Sequence, residues 1–422
     1  MAERESQVPD FLKIPRPLQE KFYNAAEAEA ESLAKTITEL SSYREEMYGL
    51  VRSGIRSVEH NDAWSGLKIG VVDGSDIPAV NDRIGLRYGL YSVAYKLFRG
   101  RDPEDVEWFY GDLLRGSIAM MKETFLKILD LLTTYYERYV ACSLLDEADL
   151  IMIDGSFFGY RAGCSMVKQE ELNWRDSLTK NSFGTVYDLI SRINELTVKL
   201  LESGKAFGVV KRVSTMAIDG YICYKQGPMK GFALSDRSIL NFFMKQGQVL
   251  DYDLLGLGSR FDAFSWYRKV LMEGAWRSKD PDQVLREAER RVVVQLVADL
   301  TPFVRMGGSW SSYANEPVVK AARSTKRVFV KTVEDIPPTC VEFPPTMPES
   351  MRDLVISYVY QTANPATGLP LPLDLVDNLV SLPRGIGREF VNEVEAELLR
   401  RGISKESLLA IFSRYNPQKD EG

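Results

Sequence analysis

Apolar positions recur along the chain with two periods, and switching between them divides most of the sequence into elements. From Pro17 to about Val58, Leu33, Ile37, Leu40, Met47, Val51, Ile55 and Val58 fall at spacings of three, four and seven. That spacing predicts a helical arm, with Pro17 suited to its first turn. Leu67 to Val72 is a short apolar run that predicts a strand and stops at Asp73-Gly74-Ser75, a turn signal. Arg87 to Phe98, rich in Tyr, Val and Phe, predicts a second strand, and Pro103 to about Leu145 reads as helix. Leu150 to Ile153 is again an apolar strand, ending in Asp154-Gly155-Ser156. Phe183 to Glu202 has an amphipathic helical pattern, and Ala206 to Val213 is a strand carrying Lys211 and Arg212. Helix dominates from about Gln246 to Ser309, Arg327 to Lys331 is a strand, and Pro337 to Pro348 reads as loop. Helices follow at Glu349 to Thr362 and near Leu373 to Leu382, and the tail Asn416 to Gly422 is expected to fray. The expected organisation is an N-terminal helical arm over 1–62, a core over 63–245 and 318–415, and a mainly helical insertion over 246–317.

Composition narrows the chemistry mainly by exclusion. The chain has 422 residues, enough for one large domain or two to three smaller ones, and a net charge of −6. A globally basic nucleic-acid coat is excluded; a local basic groove is not. No apolar run approaches the roughly 18 residues of a membrane helix, so no membrane association is expected. The opening residues carry two glutamates and no apolar stretch of the secretory type. None of Cys142, Cys164, Cys223 and Cys340 forms a C-x-x-C pair. Isolated cysteines suit a reducing, cytoplasmic setting. With His60 the only histidine, multi-histidine metal sites are impossible. His60 lies in the polar stretch Glu59 to Trp64 and reads as a surface turn residue. No phosphate-binding P-loop occurs, and Gly256-Leu257-Gly258 lacks the third glycine of a dinucleotide fingerprint. Any catalysis therefore rests on carboxylates.

Two apolar runs stop in the same way, at Asp73-Gly74-Ser75 and Asp154-Gly155-Ser156. Ligands of open α/β sheets collect at strand ends, so both aspartates are placed to face one crevice. Between them a helical segment carries Glu137 in Tyr135-Tyr136-Glu137-Arg138-Tyr139, where it is either a third acid of a site or an exposed partner of Arg138. An order of strand Asp, helix Glu, strand Asp is the layout of ribonuclease H-like nucleases. Such acids hold two divalent ions roughly 3.5–4 Å apart for phosphodiester cleavage. Oxygen donors of this kind suit Mn²⁺ or Mg²⁺.

These segments resemble the NurA nucleases, a prokaryotic, chiefly archaeal family. The likeness runs through Val71-Val72-Asp73-Gly74-Ser75 and the following Gly89 to Leu97, through Glu137, Ile151 to Phe157 and Gly208 to Ser214, and ends at Gly368 to Val380. It departs at Leu369, where the family has Tyr, and at Asp377, where it has histidine. The resemblance implies an α/β chain with a ribonuclease H-like mixed sheet and flanking helices. It further implies a homodimeric DNA nuclease, a 5′-to-3′ exonuclease and single-strand endonuclease, in DNA end resection for recombinational repair. Asp73, Glu137, Asp154 and Asp377 would bind two Mn²⁺ or Mg²⁺ ions, with Lys211 near the scissile phosphate. The implied partner is a HerA-type hexameric ATPase that translocates DNA, which suits a chain without a P-loop.

Basic residues cluster at Val318 to Val333 and Gly204 to Gly231, and Arg212, Arg323, Lys326 and Arg327 are the candidate phosphate contacts, beside Lys211. Asp236 in Leu234 to Ser238 reads as a helix N-cap. Two further readings stay open: a related nuclease on RNA or branched DNA, and a non-catalytic scaffold that binds a protein through the arm and the aromatic segment Phe261 to Trp276.

Overall fold

The computed structural model describes residues 10–77, 81–83, 85–117, 119–227, 233–304 and 308–413; the chain's last residues, where fraying is expected, lie outside them. It has two compact units, Met1–Arg52 and Ser53–Gly422. The first holds α1 (Arg16–Ser42) and α2 (Arg44–Val51). The helix expected from Pro17 to Val58 is therefore interrupted at Tyr43 and stops at Val51. Its periodic apolar residues beyond that point, Ile55 and Val58, belong to or adjoin a strand. On α1, Leu33 and Ile37 remain exposed.

The second unit begins with β1 (Ile55–Ser57), β2 (Lys68–Asp76), β3 (Asn81–Arg83), β4 (Leu86–Arg99) and β5 (Asp102–Ser117), followed by α3 (Lys122–Ser143) and β6 (Leu150–Asp154). After α4 (Cys164–Val167), the small hairpin β7 (Glu171–Arg175) and β8 (Ser182–Thr185) leads into α5 (Val186–Ser203) and β9 (Ala206–Val210). Next come α6 (Ala217–Gln226), α7 (Asp236–Asn241), β10 (Gln248–Asp251), α8 (Phe261–Met272), α9 (Pro281–Leu300) and α10 (Pro317–Ala322). The chain closes with β11 (Lys326–Val330), β12 (Thr339–Phe343), α11 (Glu349–Gln361), α12 (Leu371–Val380), α13 (Ile386–Arg400) and α14 (Lys405–Phe412).

Ten strands among the described residues form one mixed sheet, ordered β1-β10-β11-β12-β9-β6-β2-β4-β3, with β5 paired to β4. Within it, β5-β4-β2-β6-β9 is the ribonuclease H-like core. β4 runs antiparallel to β2 and β5, while β2, β6 and β9 are parallel. Each central strand sends alternate side chains to opposite faces. Val72, Ile151 and Ile153 pack with α3 and α5 on one face. Ile69, Val71, Met152 and Val209 pack with α11 and α12 on the other. Both faces are covered, which is why these strands are continuous apolar runs.

Four expectations are corrected here. Residues 103–117 are strand, not helix, because they pair along almost the whole of β4. The aromatics there stack across and along the strands, Tyr95 of β4 on Trp108 of β5 at 6.2 Å and Trp108 on Tyr110 along β5 at 6.0 Å. Asp73-Gly74-Ser75 is no turn: β2 continues to Asp76, held by pairing with β4 through Asp76 and Tyr91. The proline-bounded loop contains β12, paired with β11; the mainly helical segment before it also holds β10, paired between β1 and β11. Asp236 is not a cap, since Ser235 takes that place; Asp236 is buried and accepts from Ile218 N at 2.7 Å and the Tyr252 hydroxyl at 2.5 Å.

A buried ion pair ties the late strands to the core. Arg327 on β11 faces Glu342 on β12 across the register, and the two are 8% and 2% exposed. Glu342 also accepts from Ser156 Oγ and Phe157 N, both at 3.0 Å. Removing one partner strands the other charge in the interior. Glu342→Ala should therefore lose about 3–5 kcal/mol in denaturant unfolding; a loss near zero would show that Arg327 finds solvent without it.

Candidate metal centre

The site is assembled where β2, β6 and β9 approach α12. Residue parity decides which side chains meet. Asp73 follows Val72 and so turns to the α12 face; Asp154 follows Ile153 to the same face; Lys211 lies just beyond β9 with the parity of Val209. Asp377 comes down from α12, which Ser92 Oγ pins to β4 through Val380 O at 2.7 Å. The loop before α12 is anchored at Gly368, whose carbonyl accepts from Thr332 and Thr339 hydroxyls at 2.7 and 2.8 Å.

Asp73, Asp154 and Asp377 each offer an oxygen, all within 4.8 Å of one another. The Lys211 ammonium sits among them, 2.8 Å from Asp154 Oδ2, 2.5 Å from Asp377 Oδ1 and 3.8 Å from Asp73 Oδ2. Asp73 is 2% exposed; its Oδ1 accepts from Gly74 N at 2.8 Å, while the buried Oδ2 has no hydrogen-bond donor. Burial, and next the charge of Asp154, push the Asp73 carboxyl well above its ordinary range against the pull of Lys211. Burial works to lower the Lys211 pKa, but Asp154, Asp73 and Asp377 outweigh it and hold the ammonium above its usual value. An orphaned buried carboxylate oxygen among three converging acids fits a hard divalent cation.

Glu137 stands on the other face of the sheet. It lies over Gly74, where an added Cβ would come within 2.8 Å of Glu137 Oε1 and 2.7 Å of Thr133. Glycine at that position lets α3 approach the strand. Glu137 is outside the group of three that share the 4.8 Å neighbourhood. Its side chain is 13% exposed, and burial raises its pKa to about 8, with Arg138 opposing and Asp154, Asp130 and Asp76 adding. The sequence reading missed Asp76 and Asp130. Asp76 was signalled by its place three residues after Asp73, which puts it on the Glu137 face, and burial and Asp130 raise it to about 6. Arg138 is buried and donates to Ser156 O at 3.1 Å, tying α3 to the turn after Asp154. That turn needs Gly155, at φ +90°.

Of the candidate phosphate contacts, Arg212 and Arg323 are exposed and make no ion pair among the described residues. Lys326 is 2.6 Å from Asp253. Arg327 does not face solvent, because its guanidinium is committed to Glu342 and lies 4.4 Å over the Phe261 ring. His60 is exposed and edges Tyr360, away from these acids.

No family model matches the chain, and no curated protein does. Among solved structures, the crystal structure of the NurA nuclease from Sulfolobus solfataricus matches at TM-score 0.53 and 12% identity, over 93% of this chain and 99% of that one. The chain has a NurA-like fold. A second crystal structure of NurA aligns at TM-score 0.44 and 12% identity over 91% of this chain and 99% of that one. One of NurA bound to dAMP and manganese aligns at 0.42, with the same identity and coverage. Among the described residues, no helix of this NurA-like chain is long and apolar enough to cross a membrane.

The raised Glu137 pKa sets a pH dependence. Between about pH 4.5 and 8 the unfolded chain has released that proton while the folded, metal-free chain keeps it. Stability should therefore fall as pH rises through this window, by at most about 1.4 kcal/mol per unit. In thermal melts with EDTA, Glu137→Gln should narrow the difference between the two ends of the window; an unchanged difference would place the titration elsewhere.

Proposed function

We propose that the chain is a divalent-metal-dependent deoxyribonuclease that processes DNA ends. The observation that supports this most is the convergence of Asp73, Asp154 and Asp377 on one point, with an unpartnered buried oxygen and the Lys211 ammonium among them. The NurA-like fold supports it too. Asp73, Asp154 and Asp377 would hold Mn²⁺ or Mg²⁺, and Glu137, whose charge acts on Asp73 and Asp154, would help draw a second ion. Bound metal supplies water activation and charge neutralisation at the phosphate. Lys211, kept protonated by its carboxylate neighbours, is no general base; it is placed to stabilise negative charge developing on the phosphate. The reading extends to 5′-to-3′ exonuclease and single-strand endonuclease action, a homodimer, and a HerA-type translocase as the ATP-driven partner in end resection.

In assays with labelled single- and double-stranded DNA, Mn²⁺ or Mg²⁺ should support cleavage and EDTA should stop it. Asp73→Asn or Asp154→Asn should abolish cutting while the protein stays folded; near-normal cutting by Asp73→Asn in Mn²⁺ would overturn the assignment. Lys211→Ala should lower turnover more than Arg212→Ala, since Lys211 sits among the acids while Arg212 lines a separate cavity; equal losses that vanish at low salt would reduce Lys211 to simple phosphate attraction.

Asp377 replaces a histidine with an oxygen donor that is half exposed. Asp377→Asn should raise the Mn²⁺ concentration needed for half-maximal cleavage, and Asp377→His should restore part of it. Three superimposable titrations would remove Asp377 from the site.

A further inference from the structure

On the far side of β9 from the acids lies a cavity of about 300 Å³, lined by Ser156, Arg161, Arg212, Ser214, Thr215 and Arg327 among others. It adjoins the metal centre through the backbone: Ser156 follows Asp154 by two residues, and Arg212 is next to Lys211. It shares Asp262 with a second cavity of about 460 Å³ that Arg260, Lys320 and Arg323 line. Together the two cavities carry six basic side chains against three acids, on a chain whose net charge is −6. A local excess of this sign is the electrostatic footprint of a polyanion.

The six basic groups are not equally available. Arg327 belongs to Glu342. Arg161 stands 3.7 Å from Asp262 and 3.6 Å from Asp299, and Arg260 is 3.7 Å from Glu289. Those separations exceed the roughly 2.7–2.9 Å of a charge-assisted hydrogen bond, so these guanidiniums keep donors to offer. Arg212, Lys320 and Arg323 are exposed and have no ion-pair partner among the described residues.

We propose that the two cavities, which meet at Asp262, form one groove for the backbone of the DNA strand being cut. This rests on the nuclease reading above. The inner cavity takes the phosphate next along from the bond at the metal centre, between Arg212 and Arg161, with the Ser214 and Thr215 hydroxyls beside it. The outer cavity, at Lys320 and Arg323, takes a phosphate further along the same strand. Guanidinium, ammonium and hydroxyl groups contact phosphate oxygens without reading bases, so the groove positions the strand independently of sequence.

The test is equilibrium binding of fluorescently labelled single-stranded DNA of two unrelated sequences, by anisotropy in EDTA, with salt varied from about 50 to 200 mM. Arg212→Gln and Arg323→Gln remove exposed, unpaired groups and should melt like the wild type. Each should weaken binding of both sequences alike and lower the slope of log affinity against log salt by about 0.7, and the double variant by twice that. Arg101→Gln, exposed at the β4–β5 turn beside the start of β2, should change neither quantity. A wild type that binds while the two groove variants match it in affinity and slope would overturn the groove and leave the nuclease reading standing. A wild type with no affinity for DNA would overturn both. Loss confined to one sequence would show base reading and overturn the backbone assignment.

Discussion

Three carboxylates drawn within 4.8 Å of one another repel, and one of them is almost wholly out of water. The protein tolerates this because Lys211 brings its ammonium into contact with Asp154 and Asp377 and within 3.8 Å of Asp73. That compensation is partial: Asp73 keeps a raised pKa and an oxygen without a donor. The remaining cost must be met by the packing around it. The continuous apolar strands β2, β6 and β9, covered on both faces, hold the aspartates where an unconstrained chain would separate them.

The rest of the structure extends from that constraint. Pairing of β2 with β4 on one side and β6 on the other keeps Asp73 within the strand rather than at a loose end. The turn after Asp154 is held from two directions. Arg138 of α3 donates to Ser156 O, and Glu342 accepts from Ser156 Oγ and Phe157 N while paired with Arg327. The buried pair thus links the outer antiparallel strands to the geometry of the acids. It also explains why a basic residue in a cluster that looks suited to phosphate faces inward.

Glu137 shows how sheet faces divide a site. Its place over Gly74 puts it one residue from Asp73 along β2 but across the sheet, where it feels the charges of Asp154, Asp130 and Asp76. Its influence on Asp73 is through charge, whereas Asp377 reaches the shared neighbourhood directly from α12.

Several of these features are local and were therefore legible in the chain. The apolar runs before Asp73 and Asp154, the amphipathic period of α5 and the separate placing of Lys211 and Arg212 follow from side-chain spacing, which needs only the near neighbours along the sequence. The order strand Asp, helix Glu, strand Asp likewise indicated the ribonuclease H-like core. What depended on distant partners was not legible. Residues 103–117 pattern like the front of a helix until β4 offers them a strand edge; β12 hides among prolines until it pairs with β9 and β11. The commitment of Arg327 to Glu342 is set by register between two strands. Which acids meet was decided by the sheet's two faces and by the docking of α12, because only folding brings residue 377 within reach of residues 73 and 154.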